Sequence, residues 1–92
     1  MRTISRTAKF KKDFKRELKG QYRATLSADL LAATGFLATD QTLSDRFHDH
    51  ALSGEYTHHR ECHIKPDLLL IYKKPDEETL RLVRIGSHSE IF

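Results

Sequence analysis

The chain has 92 residues, 32% of them charged, and a formal net charge of +3. This length fits one domain with a modest core, and no apolar run approaches the ~20 residues that a membrane-spanning helix needs. The single cysteine, Cys62, excludes an internal disulfide and a zinc site built on paired cysteines, and it favours a reducing cytoplasm.

Positive charge is concentrated at the N-terminus. Residues 1–25 contain nine Lys or Arg and two acidic residues, a net +7, whereas the rest of the chain has a net charge of −4. This asymmetry favours a polyanion such as nucleic acid, or an acidic protein, as partner. A solvated helix face explains the charge equally well, so charge alone leaves both possibilities open.

The N-terminal segment predicts a strand followed by a helix. Residues 2–5 are β-branched enough for one short strand. Phe10 and Phe14 then lie four residues apart among Lys and Arg, which is typical of one apolar helix face. Thr7 is placed to cap this helix and Gly20 to end it.

A second helix and three strands are predicted to follow. The helix begins near Tyr22 and continues at helical spacing to Leu37. Alternation over residues 55–64 predicts a strand, the apolar run at 68–72 predicts a central buried strand, and residues 79–85 predict the last one. The segments KPD and KKPDEE between them are predicted turns.

The resulting order is β-α-α-β-β-β. It predicts a single α+β domain over residues 1–92, with an antiparallel sheet and the helix pair packed on one face. There is no internal repeat and no low-complexity segment.

Histidines provide the candidate chemistry. Five of the six lie between positions 48 and 63. Glu61 and His63 share one face of a predicted strand, and the turn at Pro66 should bring Asp67 within reach of His63. The predicted sheet could thus gather six side chains at one edge: His50, Glu61, His63, Asp67, Arg84 and His88.

Two chemistries fit such a set. One is metal binding, but the sequence has no HExxH, no CxxC and no carboxylate cluster, so no metal or other cofactor is expected. The other is metal-free cleavage of RNA, in which the ribose 2′-OH attacks the phosphorus and the protein supplies a base, an acid and a cation. The basic first helix would then hold the phosphate backbone through Lys9, Lys12, Lys15 and Arg16.

Three segments carry a family resemblance. FHDHALSGEY, HHRECHIKPDLLLIYKK and LRLVRIGSHSEIF follow one another in an order that resembles the YafQ family of bacterial toxins, within the RelE superfamily. The resemblance covers essentially the whole chain and implies a RelE-like fold and a ribosome-dependent mRNA endonuclease. It also implies a cognate antitoxin of the DinJ type as partner, operator DNA bound only through the antitoxin complex, no membrane, and a place in the bacterial cytoplasm.

The resemblance also implies which residues act. The family's site residues match His50, Glu61, His63, Asp67, Arg84, His88 and the terminal Phe92. Other members carry Asp at position 61 and commonly Trp at position 56. His48, His58 and His59 match no family motif and are interpreted as surface residues. Gly86 is expected to allow a sharp turn that directs His88 into a cleft, with Phe92 packed beneath it or stacked on a base.

Two other function classes remain open. A non-catalytic RNA-binding or operon-regulating module of the same fold would need the basic residues but no clustered acid–base groups. A metal-binding regulator would need ligands that the spacing does not provide. The complete His, acid and Arg set favours the endonuclease.

Overall fold

The computed structural model describes residues 1–92. Five strands form one sheet in the order β1-β5-β4-β3-β2, with three helices and two short 3-10 turns around it. The elements are β1 (Thr3–Arg6), α1 (Ala8–Glu17), α2 (Leu26–Ala38), β2 (His50–Ala51), β3 (Arg60–Lys65), β4 (Leu68–Asp76), β5 (Thr79–Gly86) and α3 (His88–Ile91). None of the helices combines the length and the apolar character needed to cross a bilayer.

The α+β class is confirmed, but the sheet is mixed and not antiparallel. β1 pairs in parallel with β5, whereas β2, β3, β4 and β5 follow one another antiparallel. The chain leaves β1 through two helices before it returns to the sheet, and such a long connection permits parallel pairing. The sequence pattern gave each strand a length but no direction.

The hydrophobic core lies between the helices and one face of the sheet. Phe10 of α1 and Leu26, Leu30 and Leu37 of α2 are buried against alternate residues of the strands. The strand residues of this core are Cys62, Ile64, Leu68, Leu70, Tyr72, Leu80, Leu82 and Ile85. The predicted packing of both helices on one face is therefore observed.

Helix ends follow local sequence signals only in part. The Thr7 side chain accepts a hydrogen bond from the Phe10 amide at 3.0 Å, so the predicted N-cap is confirmed. α2 begins at Leu26 and not near Tyr22, because residues 21–25 form turns. The Tyr22 ring still packs against the core, which explains why it matched the helical spacing.

The strand predicted over residues 55–64 is shorter than expected. β3 begins at Arg60, because Gly54–Tyr56 forms a 3-10 turn and His58 has a left-handed φ of 71°. A left-handed residue interrupts an extended strand. The alternation of Tyr56 and His58 with Arg60 was therefore no evidence of a common strand face.

Asp13 fastens α1 to β5 although its side chain is charged and only 4% exposed. Its carboxylate accepts hydrogen bonds from the Arg84 guanidinium at 2.6 and 3.1 Å, from Arg16 at 3.2 Å and from the Ile85 amide at 3.2 Å. Burial by itself raises the pKa of Asp13, but these hydrogen bonds and the two guanidinium charges outweigh burial and lower the pKa below its ordinary value of 3.8.

Asp13→Asn keeps the size of the side chain and removes its charge. We expect a loss of about 3–5 kcal/mol in the free energy of unfolding at pH 7, because Arg84 loses its counter-ion in a partly buried place. The carboxylate stabilises the fold above its unfolded pKa, and this stabilisation is lost as the pH falls through the lower folded pKa. Urea unfolding should therefore show the two proteins converging as the pH falls below about 4.

The matched control is Asp45→Asn, which removes an exposed carboxylate that forms no salt bridge. It should leave the free energy of unfolding nearly unchanged. Equal stability of the Asp13 and Asp45 variants at pH 7 would contradict the anchoring role of Asp13.

Candidate active site

The sheet face opposite the core carries the candidate site. In the strand register, His50 of β2 pairs with Glu61 of β3, Glu61 pairs with Ile71 of β4, and Ile71 pairs with Arg84 of β5. Residues paired in this way lie side by side on one face. Four neighbouring strands thus place His50, Glu61 and Arg84 in one row, and His63 follows two residues after Glu61 on the same face.

Glu61 is the buried centre of this row. It is 5% exposed, and its Oε1 lies 3.6 Å from His50 Nε2 and 3.5 Å from His63 Nε2. One carboxylate oxygen therefore faces two imidazole rings.

A backbone carbonyl orients each imidazole through Nδ1, the ring nitrogen that does not face Glu61. His50 Nδ1 lies 2.6 Å from the His48 carbonyl, and His63 Nδ1 lies 3.2 Å from the Pro66 carbonyl. A carbonyl can only accept, so Nδ1 of each ring must donate. Nδ1 is thus the donor of each ring, and Nε2 is the nitrogen that faces Glu61.

His48 is closer to the site than the sequence indicated. It was interpreted as a surface residue, and it is exposed, but its ring lies 5.3 Å from the His63 ring in an edge-on arrangement. Its backbone is left-handed, with φ 48°, at the end of a 3-10 turn. This turn directs the His48 carbonyl to His50, a contact that no sequence periodicity encodes.

Asp67 does not contact His63, contrary to expectation. Its carboxylate accepts hydrogen bonds from the Tyr22 hydroxyl and, at 3.3 Å, from the Gln21 amide. The turn does bring Asp67 to the same side of the hairpin as His63. The carboxylate nevertheless points to the connection between α1 and α2, where two donors are available, and Glu61 is the acid beside His63.

His88 begins a short helix and does not lie in an open turn. Ser87 caps α3 by accepting from the Glu90 amide, and the Glu90 carboxylate accepts from the Ser87 amide at 2.9 Å. The His88 and Phe92 rings are 4.8 Å apart on successive turns of the chain. Phe92 is 54% exposed and meets the Tyr56 ring at 5.8 Å.

Gly86 leaves space for the Arg16 side chain and does not form a sharp turn. Its φ is not in the left-handed region, but a Cβ at this position would lie 2.9 Å from the Arg16 guanidinium. Arg16 passes over Gly86 to donate to the Ile85 carbonyl at 3.3 Å and to pair with Glu90 at 3.1 Å. The missing side chain thus lets Arg16 connect α1 with α3.

Four of the six predicted site residues line one cleft of about 450 Å³: Glu61, His63, Asp67 and His88, together with Pro66, Leu69, Ser87 and Ser89. We call this space the His88 cleft. His50 lines a second cavity that shares His63 with it. The cleft therefore joins β3, the hairpin turn and the C-terminal helix.

Arg84 and most of the predicted basic residues lie in a different depression. A groove of about 400 Å³ is lined by Lys9, Lys12, Asp13, Arg16 and Arg84, and we call it the basic groove. The hydrogen bond that Arg84 donates to Asp13 raises the pKa of Arg84, so the charge of Arg84 is permanent but already paired. Arg16 is likewise paired, whereas Lys9 and Lys12 form no salt bridge. Lys15 lies on α1 outside the groove.

Neither a metal centre nor a reactive thiol is formed by these residues. No group of three or more His, Cys, Asp or Glu side chains is arranged to hold a metal ion. Cys62 lies between Glu61 and His63 in sequence but faces the core, and burial raises the pKa of its thiol to about 12. A thiol of this kind is not a nucleophile at neutral pH.

Comparison with known proteins identifies the family of this chain. The family described as "Bacterial toxin of type II toxin-antitoxin system, YafQ" matches residues 2–92. This chain belongs to the YafQ toxin family. The resemblance of the three sequence segments is thereby confirmed.

Solved structures agree with this membership. A metal-bound toxin from Helicobacter pylori is 48% identical, with a TM-score of 0.87 and full coverage of both chains. YafQ in the Escherichia coli DinJ–YafQ complex is 31% identical, with a TM-score of 0.84 over 100% of this chain and 99% of that one. The mRNA interferase toxin YafQ of Escherichia coli K12 is 41% identical over 46 residues, which are 50% of this chain and 49% of that protein.

Sequence reasoning missed the residues that hold the site together. Tyr22 was assigned to a helix face and Asp13 was only counted among charges, yet both bind predicted site residues. One signal for Asp13 was available: it is an acid on a strongly basic helix, and its spacing from Phe10 places it near the apolar side. For Tyr22 there was none, because its partner is 45 positions away.

Proposed function

We propose that this YafQ-family toxin is a ribosome-dependent mRNA endonuclease that uses the ribose 2′-OH as nucleophile. The observation that carries the proposal is the His88 cleft, which is lined by two histidines and two acids from three separate segments. A protein that only binds RNA needs cations but no such set. The name of the Escherichia coli relative, an mRNA interferase toxin, supports the same activity.

The reaction needs three contributions from the protein. A base removes the proton of the 2′-OH, whose oxygen attacks the phosphorus, and the bond to the 5′ oxygen breaks as an acid protonates that oxygen. A cation stabilises the charge on the phosphorane oxygens. The products are a 2′,3′-cyclic phosphate and a 5′-hydroxyl, and DNA is no substrate because it lacks the 2′-OH.

His63 and His88 are the proposed proton carriers. Glu61 lies beside both His63 and His50, with its Oε1 3.5 Å from Nε2 of the first and 3.6 Å from Nε2 of the second. Asp67 lines the same cleft and contributes a second carboxylate. Which imidazole is the acid and which is the base is left open by this arrangement.

Arg84 and Phe92 are proposed to hold the RNA. The guanidinium of Arg84 adjoins the basic groove, and a phosphate there would share Arg84 with Asp13. Phe92 presents an exposed ring beside His88, on which a base can stack. Lys9, Lys12, Lys15 and Arg16 extend the cationic surface along α1, where ribosomal RNA or an acidic partner would dock.

The proposed partners follow from membership and charge. We expect a cognate DinJ-type antitoxin to neutralise the protein, as the complex of the Escherichia coli relative suggests, and operator DNA to be bound only through that complex. We expect the protein to act in the bacterial cytoplasm, where translating ribosomes are found. A non-catalytic module that regulates its operon is the competing function, and it predicts no new mRNA ends on expression.

The first test concerns proton transfer. His63→Ala and His88→Ala should each lower the rate of mRNA cleavage by roughly 10²–10⁴-fold, and Asp67→Asn should also reduce activity by removing charge at constant size. Mapping of mRNA 5′ ends during regulated expression in bacteria, with growth followed in parallel, measures the effect.

His58→Ala and His59→Ala are the matched controls, since neither residue lines the His88 cleft. Both should still arrest growth. A folded His88→Ala protein that cuts mRNA at the wild-type rate would contradict the assignment, and a 5′-phosphate on the product would mean that water, not the 2′-OH, attacks.

The second test concerns the cationic helix. Reversing Lys9, Lys12 and Lys15 to Glu should weaken co-sedimentation with ribosomes, because phosphate contacts are lost. The remaining binding should be less sensitive to salt than that of wild type, since fewer phosphates are neutralised. Lys73, which is partly exposed on β4 and forms no salt bridge, offers a control reversal outside α1. Unchanged binding of both ribosomes and antitoxin would leave α1 as a solvated face only.

The third test concerns metal. We expect the chemical step to need no bound metal, because the protein supplies acid, base and cation itself. The measurement is informative because a similar toxin from Helicobacter pylori has been solved with bound metal. Metal analysis of active purified protein should find no stoichiometric zinc or copper, and a stoichiometric metal that is lost together with activity would refute the expectation.

A further inference from the structure

Tyr22 connects a loop outside the sheet to the His88 cleft. Its hydroxyl donates to Oδ1 of Asp67, and the Gln21 amide donates to Oδ2 at 3.3 Å. Two neighbouring residues of the α1–α2 connection therefore bind both oxygens of one carboxylate. Asp67 forms no salt bridge and no other side-chain hydrogen bond, so its orientation depends on this loop.

The Tyr22 side chain is itself held in place. Its ring packs against the hydrophobic core, and the Lys65 ammonium lies 5.2 Å from the ring centroid. Lys65 in turn donates to Thr25 at 2.8 Å and pairs with Asp29. The phenol is thus fixed on the core side by packing and on the solvent side by a cation whose own position is fixed.

Asp67 needs such support because of where it lies. It is an exposed residue of the two-residue turn that joins β3 to β4. A carboxylate on an exposed turn is free to rotate about its side-chain bonds unless a partner holds it. Asp67 also lines the His88 cleft, together with His63 and His88.

We propose that Tyr22 is a positioning residue of the active site, which holds the Asp67 carboxylate in the orientation that proton transfer in the cleft requires. The inference rests on the proposed function and adds the α1–α2 loop to the site. Gln21 has a secondary role, because its amide forms the longer of the two hydrogen bonds to Asp67.

Tyr22 acts as a hydrogen-bond donor and takes no part in proton transfer. The hydrogen bond to Asp67 raises the pKa of Tyr22 above its ordinary value of 10.0, so the phenol keeps its proton at neutral pH. A phenolate at this position would face a carboxylate and release it. The hydroxyl therefore has one function, which a phenylalanine cannot replace.

The test is a comparison of Tyr22→Phe with wild type in mRNA cleavage on translating ribosomes. Phenylalanine keeps the ring and removes the hydroxyl. We expect kcat to fall by roughly 10–100-fold, as for a catalytic group displaced by up to 1 Å, while KM changes by less than about twofold because Tyr22 does not contact the RNA.

The decisive comparison repeats the Tyr22→Phe substitution in the Asp67→Asn variant. If Tyr22 acts through Asp67, Tyr22→Phe should change kcat by less than about twofold once Asp67 has been replaced. Tyr72→Phe is the matched control, since it removes another hydroxyl–carboxylate bond, the 2.6 Å contact to Asp49, away from the cleft. It should lower thermal stability and leave kcat unchanged.

A titration tests the contact without relying on activity. In protein labelled at the tyrosine ring carbon, NMR should show the Tyr22 hydroxyl titrating at a lower pH in Asp67→Asn than in wild type. An unchanged titration, or a kcat for Tyr22→Phe equal to that of folded wild type, would overturn the positioning role. A wild-type protein that cuts no mRNA would instead overturn the proposed function, while the titration would still report on the contact.

Discussion

The buried carboxylate of Asp13 is the interaction on which the rest of the molecule depends. Asp13 is a residue of α1, and its carboxylate accepts hydrogen bonds from Arg84 and from the Ile85 amide of β5. The carboxylate therefore joins α1 to β5. Because charges are costly to bury without partners, this arrangement is stable only when all of its donors are in place. The N-terminal helix and the last strand, more than seventy positions apart, are therefore locked in one relative position.

The same anchor extends to the C-terminus. Arg16 binds Asp13 on one side and Glu90 on the other, and it passes over Gly86, where only a hydrogen atom leaves room. Glu90 then completes the capping box that starts α3. A four-residue helix at a chain end would ordinarily fray, but these contacts hold the turn that carries His88.

The two acids of the cleft, Glu61 and Asp67, contact different partners. Glu61 is buried and lies between His50 and His63, whereas Asp67 is exposed and bound by Tyr22 and Gln21. Each acid is thus oriented by a different part of the chain. This division lets two carboxylates share a small cleft without competing for the same imidazole.

The sequence by itself determined the elements and most of the residues that they present. Spacing of Phe10 and Phe14, the cap at Thr7 and the apolar run at 68–72 are local signals, and each corresponds to an observed feature. The motif resemblance went further and named the family, because motifs record chemistry as well as periodicity. Side-chain alternation also placed Glu61 and His63 on one strand face, and the observed pairing of β3 with β4 agrees.

Only the tertiary structure decided strand direction, the partner of each acid and the role of Gly86. The parallel pairing of β1 with β5, the contact between Tyr22 and Asp67 and the ion pair of Asp13 with Arg84 join residues 45 to 76 positions apart. Periodicity describes which face a residue occupies within its own element and contains no information on what that face will meet. Such contacts are selected among all available donors and acceptors when the elements pack. In this structure Asp67 accepts from the phenol of Tyr22, and Glu61 is the acid beside His63.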